Sequence, residues 1–170
     1  NKYYLYPIYV FFSLTVIILW KLFPSLTLFL FLIVASYHFG KEDSSIGLTI
    51  KRKFISLLFF LKGSVVILAP LLFHTEETIK IFETLNVNLT ISYENLFLVL
   101  LFLSFLSNFY IMHWTNNGGF LMADWLTILI LNLSFSPLVA FTIYFCFLHS
   151  VRHSFALIYD LNKDDFNKGL

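Results

Sequence analysis

Long apolar segments make up most of the chain, and polar residues gather in the short stretches between them. A helix needs about 20 apolar residues to cross a bilayer, and fewer where other protein covers part of it. Six segments meet this requirement: residues 3–20, 22–37, 54–73, 96–114, 120–135 and 137–158. The pattern therefore predicts an all-α fold, a polytopic helical transmembrane bundle with about six spans.

Prolines and small residues mark the breaks between these segments. Pro24 and Pro137 fit the first turn of the second and sixth helices, because proline is favoured at that position. The sequence Ser-Phe-Ser-Pro at 134–137 divides an apolar run that is too long for one span. Lys62 and Gly63 interrupt the third segment, so either Lys62 snorkels or the helix begins along the membrane interface.

The charges of two loops predict how the bundle is oriented. Loop 39–53 carries the basic residues Lys41, Lys51, Arg52 and Lys53, whereas loop 73–95 carries one lysine and four glutamates. Basic loops stay on the cytoplasmic side, so we expect the first loop inside and the second outside. A multi-pass protein of the plasma membrane is predicted, with a short amphipathic helix over 78–85 on its outer surface.

Composition supports this class. Of the 170 residues, 59% are hydrophobic and 12% are charged, against about a quarter charged in soluble domains. The mean hydropathy is +0.83. We expect one integral membrane domain over residues 1–170, and a fragment lacking an N-terminal span or spans, because the chain runs from Asn1 straight into an apolar segment. A net charge of +1 suggests no nucleic-acid partner.

A pair of histidines in the last apolar segment is the strongest chemical signal. His149 and His153 are one helical turn apart, so they can offer two ring nitrogens to one metal ion. Polar side chains are costly in hydrocarbon and face the bundle interior. At α-helical spacing, Thr142, Cys146 and Ser150 fall on the same stripe, which predicts that this face points inward.

Successive spans cross the membrane in opposite directions, and this places further polar residues near the same membrane face. His38 ends the second span there and is the candidate third metal ligand. His113 ends the fourth span there with its role left open, and His74 lies on the opposite side. Carboxylates at the same depth are candidates for orienting the imidazoles: Glu42, Asp43, Asp124 and Asp160. We expect Arg152 to snorkel or to pair with Asp124 or Asp160. All-imidazole ligation suits iron, copper, zinc or nickel.

Three sequence blocks resemble the Brp/Blh family of bacterial and archaeal β-carotene dioxygenases. Residues 36–43, Ser-Tyr-His-Phe-Gly-Lys-Glu-Asp, resemble the family segment His-Phe-Gly-x-x-Asp. Residues 137–153 resemble its C-terminal signature, a proline-led span ending in Tyr-Phe-x-x-x-His-Ser-x-Arg-His, although Ser136 stands where the family has proline. Residues 62–74 are similar to a middle segment in which a basic residue and glycine precede proline and Phe-His. The resemblance spans residues 30–158.

This resemblance implies a membrane enzyme with a non-haem Fe(II) held by four histidines. Such an enzyme splits β-carotene at its central double bond with dioxygen and releases two molecules of all-trans retinal, the chromophore of microbial rhodopsins. By the resemblance, His38, His149 and His153 are three of the ligands, and the fourth is expected upstream of Asn1. His74 matches a family histidine that is not a ligand. A functional link to a retinal-binding rhodopsin is implied.

Aromatic residues form 20% of the chain and suit a wall for a long, flat, conjugated substrate. The apolar carotenoid is expected to enter laterally from the lipid bilayer, and the protein positions it and excludes water. From depth and helix face, the candidate tunnel residues are Tyr37, Trp114, Trp125, Tyr144 and Phe145.

Alternative functions remain open at the level of sequence. A membrane haem protein for electron transfer would use histidines on two helices as axial ligands and show a Soret band. A transporter or scaffold would keep its activity after His149→Ala and purify without stoichiometric iron. A di-iron desaturase is a further alternative, but its repeated His-x-x-His-His boxes are absent from the sequence.

Overall fold

A computed structural model of the chain describes residues 5–44, 54–87, 94–115, 118–155 and 157–158. The regular elements within these ranges are all helices. They are α1 (Leu5–Leu22), α2 (Pro24–Glu42), α3 (Ile55–Gly63), α4 (Val65–Phe73), α5 (Thr75–Thr84), α6 (Glu94–Met112), α7 (Gly118–Ser134) and α8 (Pro137–Ile143). A π-helical segment, Tyr144–His149, continues α8 and leads into a last helical stretch.

The predicted all-α class is confirmed, and each predicted apolar segment is helical where the structure describes it. In the described part of the chain, two helices are long and apolar enough to cross a membrane: Ile55–Phe73, which joins α3 and α4, and Asn95–Met112. The apolar helices Tyr6–Leu22 and Gly118–Ser134 are shorter. The bundle of about six spans thus stays a prediction beyond these two helices.

The local signals in the sequence explain where several helices begin and end. Pro24 and Pro137 occupy the first turns of α2 and α8, as predicted. The amphipathic helix predicted over 78–85 is present as α5, beginning three residues earlier, with Thr78 and Phe82 buried and Glu76 and Glu77 exposed.

Lys62 is where the structure departs from the expected third helix. A break at Ser64 separates α3 from α4, and the Lys62 side chain lies in the interior at 5% exposure. Its Nζ donates a hydrogen bond of 2.9 Å to Ser44 Oγ, which in turn donates to Gly40 O at 2.6 Å. A snorkelling lysine keeps its ammonium group in water, so the first alternative for Lys62 is wrong, and the second, a helix that begins along the membrane interface, stays a prediction.

Helices α2 and α3 form the closest helix pair, and two glycines allow it. A Cβ atom built on Gly40 would overlap the backbone carbonyl of Phe59, and one built on Gly63 would overlap the carbonyl oxygen of Ser36. The two backbones therefore touch at this crossing. Contacts of this kind between small residues are typical of helices that associate within membranes.

The main core lies where α2, α4, α7 and the π-helical segment meet, around Phe39, Ala69, Trp125 and Tyr144. Helix α6 adds a buried polar seam. Ser104 and Ser107 donate to carbonyls of α3, at Lys62 and Leu58, with lengths of 3.2 and 2.6 Å. Because these two hydroxyls bond to backbone oxygens, Ser104 and Ser107 are satisfied without water.

Candidate functional site

Helix α2 and the last helix bring the predicted site residues to one end of the bundle. The C-terminal turn of α2 carries His38 and Glu42, and Asp43 follows it directly. The π-helical segment ends at His149, and Arg152 and His153 lie in the next turn. This arrangement joins residues that are more than a hundred positions apart in the chain.

Asp43 is the acceptor at the centre of this cluster. Tyr144 Oη donates to Asp43 Oδ2 at 2.7 Å, and His149 Nδ1 lies 3.1 Å from Asp43 Oδ1. Arg152 Nη1 lies 3.5 Å from the same Oδ1. An ionised carboxylate can only accept, so His149 Nδ1 is the donor in this contact, and Nε2 takes no part in it.

The surroundings of Asp43 favour its charged form. Burial alone would raise the pKa of the Asp43 carboxyl, but the hydrogen bond from His149 and the positive charge of Lys62 act against burial. The hydrogen bond from Tyr144 and the charge of Arg152 act in the same direction, so the pKa of Asp43 lies below its usual value. Asp43 is therefore an anion at neutral pH.

His153 has a similar carboxylate partner one residue earlier in the chain. Its Nδ1 lies 3.3 Å from Glu42 Oε2, at a side-chain exposure of 54%. The ring centroids of His149 and His153 are 6.5 Å apart, and those of His38 and His149 are 5.6 Å apart. His38 itself is exposed. Three imidazoles from two elements thus lie within one neighbourhood.

The π-helical segment sets the direction of the His149 side chain. In an α-helix, residues five positions apart point in different directions, whereas the wider π turn brings them toward the same side. Tyr144 and His149, the two ends of the segment, are both buried and both bond Asp43. The predicted inward stripe is wrong for Thr142 and Cys146, which are exposed, because it assumed α-helical spacing throughout.

Arg152 extends the cluster to α7. Its Nη2 donates to Asp124 Oδ1 at 2.7 Å, which confirms the predicted pairing of Arg152 with Asp124. One guanidinium therefore lies between two carboxylates on different elements, Asp43 and Asp124. Asp160, the other carboxylate predicted for this depth, lies outside the described residues.

Aromatic rings cover His149 on several sides. The Phe39 ring meets it edge-on at a centroid distance of 4.9 Å, and the Phe145 ring stacks on it at 5.7 Å. Tyr144 is buried at 3% exposure, and Phe145 is 41% exposed. These two predicted tunnel aromatics therefore lie beside the histidine cluster.

The other predicted tunnel aromatics lie elsewhere. Trp125 is buried in the core, where its Nε1 donates to Ser104 Oγ at 3.2 Å. Tyr37 is half-exposed against Phe59 at a ring distance of 6.5 Å. Trp114 lies beside His113 at the surface, with the two rings 6.0 Å apart. Neither Tyr37 nor Trp114 contacts His149 through its ring in the described part of the chain.

A largely apolar groove opens next to the cluster, between α2, α4, α5, α7 and α8. Its volume is about 160 Å³. Its walls include Leu32, Val66, Pro70, Phe82, Ile128, Ala140, Phe141 and Tyr144. Tyr144 is the one predicted tunnel residue among its lining residues, and it also bonds Asp43. The groove and the histidine cluster therefore share a wall.

The side chains of the cluster include donors of the kind that bind metal ions. Among the described residues, no group of three or more histidine, cysteine, aspartate or glutamate side chains converges closely enough to enclose one. The donors are of a suitable type, because the Nδ1 atoms of His149 and His153 face carboxylates and their Nε2 atoms do not. The ligand roles of His38, His149 and His153 stay predictions.

The two remaining histidines have other surroundings. His74 Nε2 lies 2.7 Å from the carbonyl oxygen of Asn132, at the far end of the groove. His113 is exposed beside Trp114. Neither contacts the cluster of His38, His149 and His153 in the described residues.

Some features of the site have no clear sign in the sequence. The hydrogen bond from Tyr144 to Asp43, the second contact of Arg152 with Asp43, and the ring contact of Phe39 with His149 were all missed. Tyr144 stands five positions before His149, a spacing that α-helical periodicity does not select. Phe39 directly follows His38, and this position next to a predicted site residue is its only sign in the sequence.

One known protein family matches this chain along its whole length. The family model for beta-carotene 15,15'-dioxygenase matches residues 1–170, the whole chain. The chain belongs to the beta-carotene 15,15'-dioxygenase family. No curated protein and no solved structure matches it significantly. The match to the beta-carotene 15,15'-dioxygenase family confirms the resemblance drawn from residues 30–158 and extends it to both ends.

Proposed function

We propose that this protein cleaves β-carotene at its central double bond with dioxygen and releases two molecules of all-trans retinal. The observation that carries the proposal is the family match over the whole chain. The buried contact between Asp43 and His149 also supports it, because a carboxylate commonly orients a metal-binding imidazole in this way. Retinal is a chromophore, so the product has a use in a cell that makes a retinal-binding rhodopsin.

His38, His149 and His153 are the residues proposed to hold Fe²⁺. Support comes from donor chemistry and proximity. Imidazoles suit iron, and the rings of His38 and His149 are 5.6 Å apart. An imidazole nitrogen lies roughly 2 Å from the ion it binds, so the centroids of two rings on one ion are roughly 5 Å apart. His38 and His153 are both exposed, so neither ring is enclosed by the bundle.

When bound, ferrous iron supplies the activation of dioxygen. The protein's own residues position the polyene and exclude water. Asp43 holds the His149 ring in one tautomer and one orientation through the bond to Nδ1. Phe39 and Phe145 cover that ring and present apolar faces to a conjugated hydrocarbon. No side chain is required to move a proton in an oxygen insertion followed by scission of the carbon–carbon bond.

The test is to express the protein in cells that accumulate β-carotene and to measure retinal and residual carotene by chromatography. We expect retinal to appear and the orange colour to fade. His149→Ala and His153→Ala are expected to abolish retinal formation and to lower the iron content of the purified protein, and His38→Ala to do the same. His113→Ala is the matched control, because His113 is exposed and away from the cluster.

Three outcomes would contradict the proposal. Unchanged carotene in the presence of well-expressed, iron-loaded protein would refute the dioxygenase activity. A Soret band in the purified protein would favour a haem protein for electron transfer instead. Full transport or scaffolding activity of the His149→Ala variant, in protein purified without iron, would favour a transporter or scaffold.

A further inference from the structure

We propose that the groove between α5 and α8 binds one end ring of the carotenoid, so that it sets which carotenoids this protein accepts. This inference rests on the proposed dioxygenase function and adds a binding subsite to it. The groove is defined by its lining residues and lies between the histidine cluster and α5. The occupant is the trimethylcyclohexenyl ring that ends the β-carotene polyene.

The size of the groove fits a single ring. Its volume is about 160 Å³. An apolar cavity of roughly 150 Å³ holds benzene, so the groove can take the six-membered ring itself, and its exposed rim at Leu138 and Phe141 leaves space for the methyl groups. It is too small for a whole carotenoid, so the rest of the polyene has to lie outside it. A subsite for one end of the substrate is the role that this volume permits.

The walls of the groove also fit a hydrocarbon ring. Its polar side chains are Thr78, Asn132 and Tyr144; the first two donate to backbone oxygens, and the Tyr144 hydroxyl donates to Asp43. Thr78 Oγ1 donates to Pro70 O at 3.0 Å, and Asn132 Nδ2 donates to Ile128 O at 2.8 Å. The remaining walls are aliphatic and aromatic, as sites for apolar ligands usually are.

The position of the groove places the polyene beside the histidines. Phe141 and Tyr144 line the groove, and the Phe39 ring contacts both of them and also His149. At the α-helical rise of about 1.5 Å per residue, the eight positions from Phe141 to His149 would span about 12 Å, and the π-helical segment shortens this distance. A ring in the groove therefore leaves one arm of the polyene to run along this helix toward His149.

The rim of the groove explains how the ring can reach it. Leu138 and Phe141 line the groove yet are 61% and 43% exposed, and they lie on the apolar outer face of α8. If α8 crosses the bilayer, this rim opens onto lipid rather than water. Amphipathic α5, with Ile81 and Phe82 in the opposite wall, borders the opening. An apolar ring can thus enter sideways without passing through water.

The experiment measures carotenoid binding by iron-depleted protein in detergent, where cleavage cannot consume the ligand. The variant Ala140→Phe places a benzyl group in the groove, because Ala140 lines it and is 1% exposed. The matched control is Val139→Phe, since Val139 is the next residue and is 45% exposed. A second filling variant, Ile81→Phe, works from the opposite wall and serves if Ala140→Phe fails to fold.

We expect Ala140→Phe and Ile81→Phe to weaken binding of β-carotene about tenfold by overfilling the groove, and Val139→Phe to leave it unchanged. Binding of an acyclic carotene of equal carbon number should weaken much less, because its end is a thin chain. Equal losses for both carotenes, or no loss for β-carotene, would overturn the ring subsite while leaving the dioxygenase proposal intact. Absence of retinal formation by protein that binds β-carotene through this groove would instead count against the dioxygenase proposal alone.

Discussion

At the scale of single residues, Asp43 connects the chemistry of the site to its packing. One carboxylate faces Tyr144, His149 and Arg152, and its side chain is 8% exposed. A buried charge is tolerated when it is paired and hydrogen-bonded, which these contacts achieve. The same contacts hold the His149 ring still, so the carboxylate acts as a positioning group for a proposed metal ligand.

Asp43→Asn should weaken iron binding. The asparagine keeps the size of the side chain, but its amide nitrogen cannot accept a hydrogen bond, so one of the two bonds from Tyr144 and His149 is lost. Loss of such an orienting partner typically lowers metal affinity by about 10–100-fold. Iron content after dialysis against a graded series of chelator concentrations measures the effect.

Glu77→Gln is the control for this change, because Glu77 lies exposed on α5. If Asp43→Asn binds iron as tightly as the unmodified protein and only melts at a lower temperature, Asp43 serves folding and not the metal.

At the scale of helices, the crossing of α2 and α3 fixes where His38 and Asp43 lie. Gly40 and Gly63 let the two backbones touch, and Lys62 is buried just beside this contact with its ammonium group on Ser44. The end of α2 is thereby held against the rest of the bundle. No local pattern in the sequence indicated this contact, because close approach is a property of two helices together.

Gly40→Ala and Gly63→Ala should each destabilise the protein, because the new methyl group has backbone atoms in its place. Overpacking of this kind costs about 1–3 kcal/mol, and more where the backbone has to move. Thermal unfolding in detergent, followed by helical circular dichroism, measures the change.

Gly119→Ala is the control for the glycine variants, because no atom lies within 4 Å of its Cβ position. Gly119 lies in α7, where alanine favours the helix. The unfolding midpoint of Gly119→Ala should equal that of the unmodified protein or lie slightly above it. Unfolding midpoints of Gly40→Ala and Gly63→Ala equal to that of the unmodified protein would mean that the helices do not touch at this crossing.

At the scale of the whole molecule, the charges predict a direction across the membrane. The histidine cluster lies at the end of α2 that leads into the loop with four basic residues, whereas α5 carries acidic residues. The positive-inside rule then assigns the cluster to the cytoplasmic face of a plasma-membrane protein. We propose this orientation, in which α5 and the adjacent end of the groove face the other side.

Cysteine labelling in intact cells tests the orientation. In a Cys146→Ser background, Glu77→Cys should react with a membrane-impermeant maleimide from outside, and Lys41→Cys should react only after the membrane is permeabilised. Both residues are exposed, so local burial does not limit labelling. Labelling of Lys41→Cys alone in intact cells would reverse the orientation.

The sequence by itself determined the helices and most residues of the site. Apolar length, proline at helix starts and the spacing of His149 and His153 are local properties of the chain, and each indicated its element correctly. Asp43 and Asp124 were selected for their depth, which follows from counting residues along helices. The family resemblance likewise rests on short local motifs.

The tertiary structure alone decided how those residues meet. Tyr144 and Asp43 are 101 positions apart, and their hydrogen bond exists only because α2 and the last helix pack together. The π-helical segment turned His149 inward and Cys146 outward, against the α-helical periodicity. The burial of Lys62 and the groove beside Tyr144 also depend on several helices at once. Such features arise from long-range packing, which local patterns of apolar and polar residues do not encode.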